Sequence, residues 1–230
     1  MIEFLLFISI PFFAMTLMSS KKKDKLFPEL RNYLKDRESE FDMISSERKE
    51  KLHQIAEFIK DEISVSNAKL NFICTHNSRR SHMAQLWAAA SAEYFGVDKV
   101  QTFSGGTEGT AFNPRSVKAL RNAGFRIEMI EDGDNPLYSS EYAEGGEKIK
   151  SFSKKFSHEI NPMEGFAAVM VCSDADEACP FVPGAKSRIA IPYDDPKAFD
   201  NTPQEEEKYA ERSIQIAREM AYVFSMVSNR

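Results

Sequence analysis

The sequence predicts an α/β protein with an open parallel sheet covered by helices on both faces, in three layers of the Rossmann type, preceded by a helical extension. Beyond residue 69, short apolar runs alternate with helical stretches, which is the order expected of strand–helix–strand units. The run at 166–172 is apolar nearly throughout, as in a strand buried on both faces. Residues 25–66 show only helical periodicity.

Composition places the 230-residue chain among ordinary globular proteins. It has 42% hydrophobic and 28% charged residues, enough for a sizeable core. A formal net charge of -5 provides no electrostatic footprint for nucleic acid, so we expect no nucleic-acid partner. Three cysteines do not make a disulfide framework, and an odd count suits a reducing compartment. We therefore expect a cytoplasmic protein.

Residues 1–20 form a separate apolar segment. The run at 4–18 is interrupted by Pro11 and followed by a lysine-rich stretch. It is shorter than the roughly 20 apolar residues that span a bilayer, and no positive side chain precedes it as in a secretory signal. Two interpretations stay open. Either the run contacts the membrane and tethers the protein to its inner face, or translation begins downstream, at Met15 or Met18.

The segment 24–66 is predicted to be a helical extension. An apolar stripe recurs at spacings of three and four residues, and its members are Leu52, Ile55, Ile59 and Ile63. Ser45 and Ser46 lie where a helix N-cap is expected. No chemistry-bearing pattern is present, so we expect this extension to pack on the main domain, which spans 69–227.

Four strands are predicted in the main domain, at 70–74, 100–104, 166–172 and 187–191. The segment 131–162 is polar and contains glycine, and it is predicted to be a loop-rich excursion.

Two helices of the main domain have well-marked starts. One is expected to begin after Asn113 as N-cap and to stop at Gly124. The last helix opens with Thr202 and Glu205 in capping-box spacing. Its apolar face is predicted to carry Tyr209, Ser213, Ile216, Met220 and Phe224.

The stretch KLNFICTHNSRRSHMAQ at 69–85 places a cysteine at the end of a predicted strand. Open parallel sheets bind ligands at the carboxyl ends of their strands, and Cys74 stands at such an end, before a helix expected to begin near Ser81. Loop N–H groups and a helix N-terminus bind anions and favour a thiolate. Arg80 is placed to donate two hydrogen bonds, one to each of two oxygens of a tetrahedral oxyanion. A cysteine ending a strand is more often a core residue, but this context favours a site that binds an oxyanion and attacks its central atom.

The motif CTHNSRRSHMAQ at 74–85 resembles the C-x5-R-S loop of low-molecular-weight protein tyrosine phosphatases. It is more similar still to the loop of thioredoxin-coupled arsenate reductases, which share the low-molecular-weight phosphatase fold. Three further stretches match in the same order, at 104–127, 171–180 and 194–196. The resemblance spans about residues 69 to 227.

The resemblance implies roles for particular residues. Cys74 would be the nucleophile, Arg80 the oxyanion clamp and Asp195 the general acid, although Asp194 is an equally charged neighbour. Ser81 would hydrogen-bond the thiolate. The oxyanion-binding loop would comprise Thr75, His76, Asn77, Ser78, Arg79 and Ser81.

All three cysteines fall on motif positions, which the resemblance explains as a relay. Cys74 would form a covalent adduct with arsenate, Cys172 would attack Cys74 and release arsenite, and Cys179 would then form a disulfide with Cys172. Thioredoxin would be the electron donor, and no tightly bound cofactor is expected. Seven residues do not bring two side chains together on a strand or rigid helix, so the final bridge needs the segment to bend or unwind.

The sequence also departs from the family pattern. His76 replaces a glycine and Arg79 a small residue; Arg79 either strengthens oxyanion binding or is a solvated surface residue. Gln85 stands where some reductases have a glutamate associated with potassium, so a potassium site is not expected. His76 and His82 lack a third donor at metal-ligand spacing, and we expect no metal. The tyrosine that follows Asp-Pro in the phosphatases is absent after Pro196.

Three functions remain in competition. The leading hypothesis is arsenate reduction with shared phosphatase chemistry, acting on arsenate, phosphate or a phosphomonoester. The first alternative is a low-molecular-weight protein tyrosine phosphatase or other phosphomonoesterase that uses Cys74, Arg80 and Asp195 alone. The second is a redox-regulated phosphate-binding signalling module. An intact general acid argues against the second alternative, because a pure binder has no need of one.

Overall fold

The computed structural model describes residues 25–228. The predictions for the apolar segment 1–20 therefore lie outside the described residues. None of the described helices is both long enough and apolar enough to cross a membrane.

A four-stranded parallel sheet forms the centre of the molecule, as predicted. Its strands are β1 (Ala68–Cys74), β2 (Val100–Gly106), β6 (Phe166–Met170) and β7 (Ala185–Ala190), in the order β2-β1-β6-β7. Strands β1 and β6 occupy the middle of the sheet and are almost wholly buried. Their carboxyl ends, which carry Cys74 and Cys172, lie side by side, because Val171 N–H donates to the Ile73 carbonyl at 2.8 Å.

Helices flank this sheet. They are α1 (Pro28–Glu38), α2 (Ser46–Val65), α3 (Arg80–Phe95), α4 (Pro114–Asn122), α5 (Ser173–Ala178) and α6 (Glu205–Val227). Helix α3 packs on β1 and β2, and α6 packs on α3 and on both helices of the extension. The extension is helical as predicted, and Ser45 caps α2 by accepting a hydrogen bond from Arg48 N–H. Asn113 likewise caps α4.

Most of the segment 131–162 lies outside helices and strands, as the loop-rich prediction expects, but the segment also contains two strands that were not predicted. It contributes to a second, antiparallel sheet with the order β3-β4-β5, built from β3 (Arg126–Glu131), β4 (Leu137–Glu141) and β5 (Ile149–Ser151). Ser140 and Ser151 occupy buried positions and bond each other at 2.9 Å. Because polar side chains stand where a strand pattern calls for apolar ones, the alternation was hidden in the sequence.

Helix α6 begins later than the capping-box pattern predicts. Its N-cap is Gln204, with no side-chain cap, and the Thr202 hydroxyl instead donates to the Phe199 carbonyl at 2.7 Å. The Glu205 carboxylate accepts from the N–H of Asn201, at φ +62°, rather than from Thr202. The 3-10 turn Pro196–Phe199 precedes this stretch, and residues 200–204 form turns and a bend before the helix begins. The five predicted face residues of α6 are all buried, which confirms the apolar stripe.

Candidate active site

The loop between β1 and α3 is held from outside through its carbonyl groups. The carbonyl of Cys74 accepts from Thr107 N–H, that of Thr75 from Glu108 N–H, and that of Ser78 from Asn113 N–H. The carbonyl of His76 accepts from the hydroxyls of Thr110 and Ser153. In a trans peptide the next N–H points opposite to the carbonyl. The N–H groups of Thr75, His76, Asn77 and Arg79 therefore turn away from these anchors, toward the concave side of the loop.

Gly106 allows this anchoring because it lies against the loop backbone. A Cβ at this position would come within 2.3 Å of the Glu108 carbonyl oxygen, 2.6 Å of that of Thr75 and 2.7 Å of the Asn77 nitrogen. Asn77 itself has φ +44°, a conformation in which asparagine is enriched among non-glycine residues. The loop shape therefore depends on a residue without a side chain at 106.

The Ser81 hydroxyl is oriented toward the Cys74 sulfur by hydrogen bonding. The Cys74 Sγ lies 3.1 Å from the Ser81 Oγ, and the Asn77 side-chain amide donates to that same Oγ at 2.8 Å. The Asn77 amide is oriented because its oxygen accepts from Lys154 N–H at 2.9 Å. Since the Ser81 oxygen already accepts from Asn77, its own proton is available to the sulfur. This arrangement suits a thiolate.

Arg80 and Asp195 meet at the mouth of the loop. Arg80 donates to the Tyr193 carbonyl at 2.9 Å and to the Asp195 carboxylate at 2.8 Å. A cleft of about 10 Å³, room for about one water, is lined by Cys74, His76, Ser78, Arg79, Arg80 and Asp195. These two bonds use only two of the five N–H donors of Arg80, and its buried Nε has no partner among the described residues, so the guanidinium retains donors for an oxyanion that enters here.

The geometry separates the two adjacent aspartates. The side chain of Asp194 is 97% exposed and pairs with Arg212, whereas Asp195 lines the cleft. Asp195 also caps the 3-10 turn Pro196–Phe199 by accepting from Lys197 N–H. Only the second aspartate is therefore placed to reach a group bound beside Cys74.

Arg79 is not a solvated surface residue, so that alternative is wrong. Its side chain is 11% exposed, donates to the Tyr209 hydroxyl at 2.7 Å and pairs with Asp200 at 3.1 Å. Asp200 in turn accepts from the Tyr209 hydroxyl. The guanidinium thus ties the loop to α6, and its nearest approach to Asp195 is 3.9 Å.

The three cysteines have free thiols, and they differ in their distance from the loop. Cys172 is buried, and its Sγ lies 3.4 Å from the Thr75 hydroxyl, next to the Cys74 position in the chain. Cys172 also caps α5, accepting from Ala175 N–H, while Cys179 is the C-cap of the same helix and is partly exposed. The structure thus brings Cys172 to the loop and separates Cys179 from it by the length of α5.

A histidine and a lysine are buried behind the loop. His82 stacks on Phe112 at 4.0 Å, and burial, with the charge of Lys154 second, lowers its pKa well below the usual value. Burial also lowers the pKa of the Lys154 ammonium to about 8. His82 is therefore neutral at physiological pH, consistent with a core role.

The remaining sequence predictions concern metals. His76 is half exposed and lies 3.8 Å from Glu108, and the Gln85 amide donates to the Thr102 carbonyl. Within residues 25–228, no group of three or more histidine, cysteine, aspartate or glutamate side chains is arranged to hold a metal ion.

Sequence reasoning missed several residues that shape the site. Ser153 and Lys154 anchor the loop from the segment interpreted as an excursion, and no local pattern marks them. Arg48 lies in the extension, where no chemistry was predicted, yet it reaches the chain leading to Asp195 through the carbonyl of Ile191. Such contacts between distant parts of the chain leave no signal at fixed spacing.

Comparison with known proteins gives a consistent result. A family model described as low molecular weight phosphotyrosine protein phosphatase matches residues 69–161. The arsenate reductase of Bacillus subtilis (strain 168) is 30% identical over 146 residues, which is 64% of this chain and 85% of that protein. The arsenate reductase of Bacillus licheniformis is 31% identical over 149 residues, with the same coverage. Among solved structures, a low molecular weight protein tyrosine phosphatase from T. tengcongensis aligns with TM-score 0.48 at 15% identity, covering 69% of this chain and 99% of that one.

Proposed function

We propose that this chain, which belongs to the low molecular weight phosphotyrosine protein phosphatase family and is 30% identical to an arsenate reductase over 146 residues, reduces arsenate to arsenite through a cysteine relay. The same nucleophile would hydrolyse phosphomonoesters. The proposed catalytic domain is 69–227, with the helices of 24–66 as an extension.

One observation carries the proposal. The buried Cys172 sulfur lies 3.4 Å from the Thr75 hydroxyl, directly beside the residue that would be the nucleophile. A phosphatase needs only Cys74, Arg80 and an acid. A second buried thiol at the loop completes the pair of thiols that a two-electron reduction requires, and a third at the far end of the helix that it caps can take over the disulfide and free Cys74.

The first step forms a bond between Cys74 sulfur and arsenic. The Cys74 thiolate attacks arsenate while Arg80 and the loop N–H groups hold the oxyanion, and a hydroxide leaves as water with a proton from Asp195. Ser81 supports the thiolate before the attack through the 3.1 Å contact. With a phosphomonoester the same attack expels an alcohol, and water hydrolyses the phosphocysteine.

The second step transfers two electrons. The Cys172 thiolate attacks the Cys74 sulfur, a disulfide forms, and the sulfur–arsenic bond breaks with its electron pair on arsenic, which leaves as arsenite. The Cys179 thiolate then attacks Cys172 and frees the Cys74 thiolate. An external dithiol, for which we propose thioredoxin, reduces the final disulfide and restores both thiols. Reduced thiols agree with a cytoplasmic location.

The last exchange requires α5 to unwind. Cys172 and Cys179 are seven positions apart at the two ends of the six-residue helix α5, which corresponds to about 10 Å along the axis, whereas a disulfide needs Cα atoms within about 7 Å. Arg188 holds the end of this helix, donating to the carbonyls of Cys179 and Asp176. These two bonds must be released for the Cys179 sulfur to reach Cys172.

The test is arsenite production from arsenate with thioredoxin, thioredoxin reductase and NADPH, run beside hydrolysis of an aryl phosphate. Wild type and Cys179→Ser are compared in both assays. We expect arsenate turnover to collapse in the variant while ester hydrolysis persists, because hydrolysis uses only Cys74, Arg80 and Asp195. Ester hydrolysis without arsenate turnover in the wild type would instead identify a phosphatase.

A further inference from the structure

We propose that Arg48, on α2 of the N-terminal extension, is a positioning residue for the general acid Asp195. This inference rests on the proposed function, since it assigns a role in that reaction. It gives the extension a part in catalysis, although the extension lies outside the region matched by the family model.

The segment 191–195 carries Asp195 from the end of β7 to the cleft. Its first part continues the sheet, because Ile191 N–H donates to the Met170 carbonyl at 2.9 Å and Tyr193 N–H to the Val171 carbonyl at 3.1 Å. Arg48 contacts it from the extension, donating to the Ile191 carbonyl at 3.1 Å. The segment is therefore held on one side by β6 and on the other by α2.

A buried charge cluster completes this hold. Glu219 of α6 is 3% exposed and accepts from the Arg48 Nε and Nη2 at 3.0 and 2.8 Å. The same carboxylate oxygen accepts from the Tyr193 hydroxyl at 2.7 Å, and the Arg48 guanidinium stacks on the Tyr193 ring at 4.7 Å. Burial, reinforced by Glu219, raises the pKa of Tyr193, so its phenol stays protonated and continues to donate.

Tyr193 connects this cluster to the cleft. Its ring and hydroxyl contact Arg48 and Glu219, and its carbonyl accepts from the Arg80 guanidinium at 2.9 Å. Asp195 follows two residues later and pairs with the same guanidinium. A shift of the Tyr193 ring would thus displace both the oxyanion clamp and the acid, and a misplacement of about 1 Å can cost roughly 100-fold in rate.

The experiment compares Arg48→Met with Arg218→Met in the full chain. Arg218 makes a similar, largely buried bond between α6 and the extension, donating to Glu40 at 2.8 Å, but within residues 25–228 it forms no hydrogen bond or ion pair with the segment 191–195. Substitution there controls for loosening of the extension. Arg48→Met leaves Glu219 without its cationic partner, so the double variant Arg48→Met with Glu219→Gln is also measured.

The readout is kcat/KM for phenyl phosphate and for p-nitrophenyl phosphate. Phenolate is the poorer leaving group, so its departure depends more on the acid. We expect Arg48→Met and the double variant to lose about 10- to 100-fold on phenyl phosphate and several-fold less on p-nitrophenyl phosphate. Arg218→Met should leave the ratio of the two substrates unchanged.

Three outcomes decide between explanations. A selective loss on phenyl phosphate in both Arg48 variants supports the positioning role. Equal loss on both substrates, or the same pattern in Arg218→Met, overturns it in favour of a structural role. Failure of the wild type to hydrolyse either ester would overturn the proposed phosphatase chemistry itself, and the Arg48 assignment with it.

Discussion

Replacing Gly106 by alanine should disable the proposed oxyanion-binding loop. A Cβ would lie 2.3 Å from the Glu108 carbonyl oxygen, and real Cβ contacts essentially never fall below 3.0 Å, so a displacement of at least 0.7 Å is forced. The other two contacts, with the Thr75 oxygen and the Asn77 nitrogen, are backbone atoms of the loop itself. Since a misplacement of about 1 Å can cost roughly 100-fold, we expect Gly106→Ala to lower kcat/KM for p-nitrophenyl phosphate by about 10- to 100-fold.

Gly109 provides the matched control for this prediction. A Cβ there would meet its nearest neighbour, the Lys154 Cα, at 3.6 Å, an ordinary contact. Gly109→Ala should therefore keep activity within about 2-fold of wild type. Fluorescence of the single tryptophan, the buried Trp87, and the midpoint of urea unfolding report whether each variant folds. Wild-type activity in a folded Gly106→Ala would refute the proposed dependence of the loop on residue 106.

Three further perturbations test neighbouring parts of the site. Ser81→Ala removes the hydroxyl 3.1 Å from the Cys74 sulfur, the proposed nucleophile; a bond to a charged group contributes about 1.5–3 kcal/mol, so kcat should fall roughly 10- to 100-fold, and an unchanged kcat would exclude this support. Asp195→Asn should slow phenyl phosphate hydrolysis by about 100-fold or more, whereas the exposed Asp194→Asn should not; the reverse would reassign the acid. Burial lowers the Lys154 pKa to about 8, so the unfolded state binds more protons and wild-type stability rises as pH passes from 8 toward 10. Lys154→Met lacks this rise, and its urea-measured stability relative to wild type should decline by about 2 kcal/mol between pH 7 and 10, while Lys155→Met, at an exposed position, should show no such trend.

Periodicity predicted the main sheet because its strands are apolar and its helices begin with recognisable caps. The four parallel strands, the Asn113 cap and the buried face of α6 follow from patterns within single segments. The second sheet could not be predicted in this way. Ser140 and Ser151 form a hydrogen bond with each other across two strands, and neither strand alone has an apolar face. The start of α6 was misplaced because a preceding 3-10 turn took up the Thr202 hydroxyl.

The candidate site could likewise be predicted only where its residues are close together in the sequence. Cys74, Ser81 and Arg80 lie within eight residues, so strand, loop and helix geometry could be predicted from local order. The partners of Arg79, by contrast, come from α6 and from the turn that precedes it, far away in the chain. The interpretation of Arg79 as a solvated surface residue was wrong for that reason. The contribution of Arg48 depends on the packing of α2 against α6. This packing brings Arg48 into contact with Glu219, which is 171 positions away in the chain.

The relay is tested most directly by a single turnover without external reductant. Fully reduced protein is mixed with excess arsenate, quenched in acid denaturant, and assayed for arsenite and for free thiols. The chain has three cysteines, and we predict one arsenite per chain, a fall from three thiols to one, and a peptide map that joins Cys172 to Cys179. Three free thiols with no arsenite released would contradict arsenate reduction by this protein.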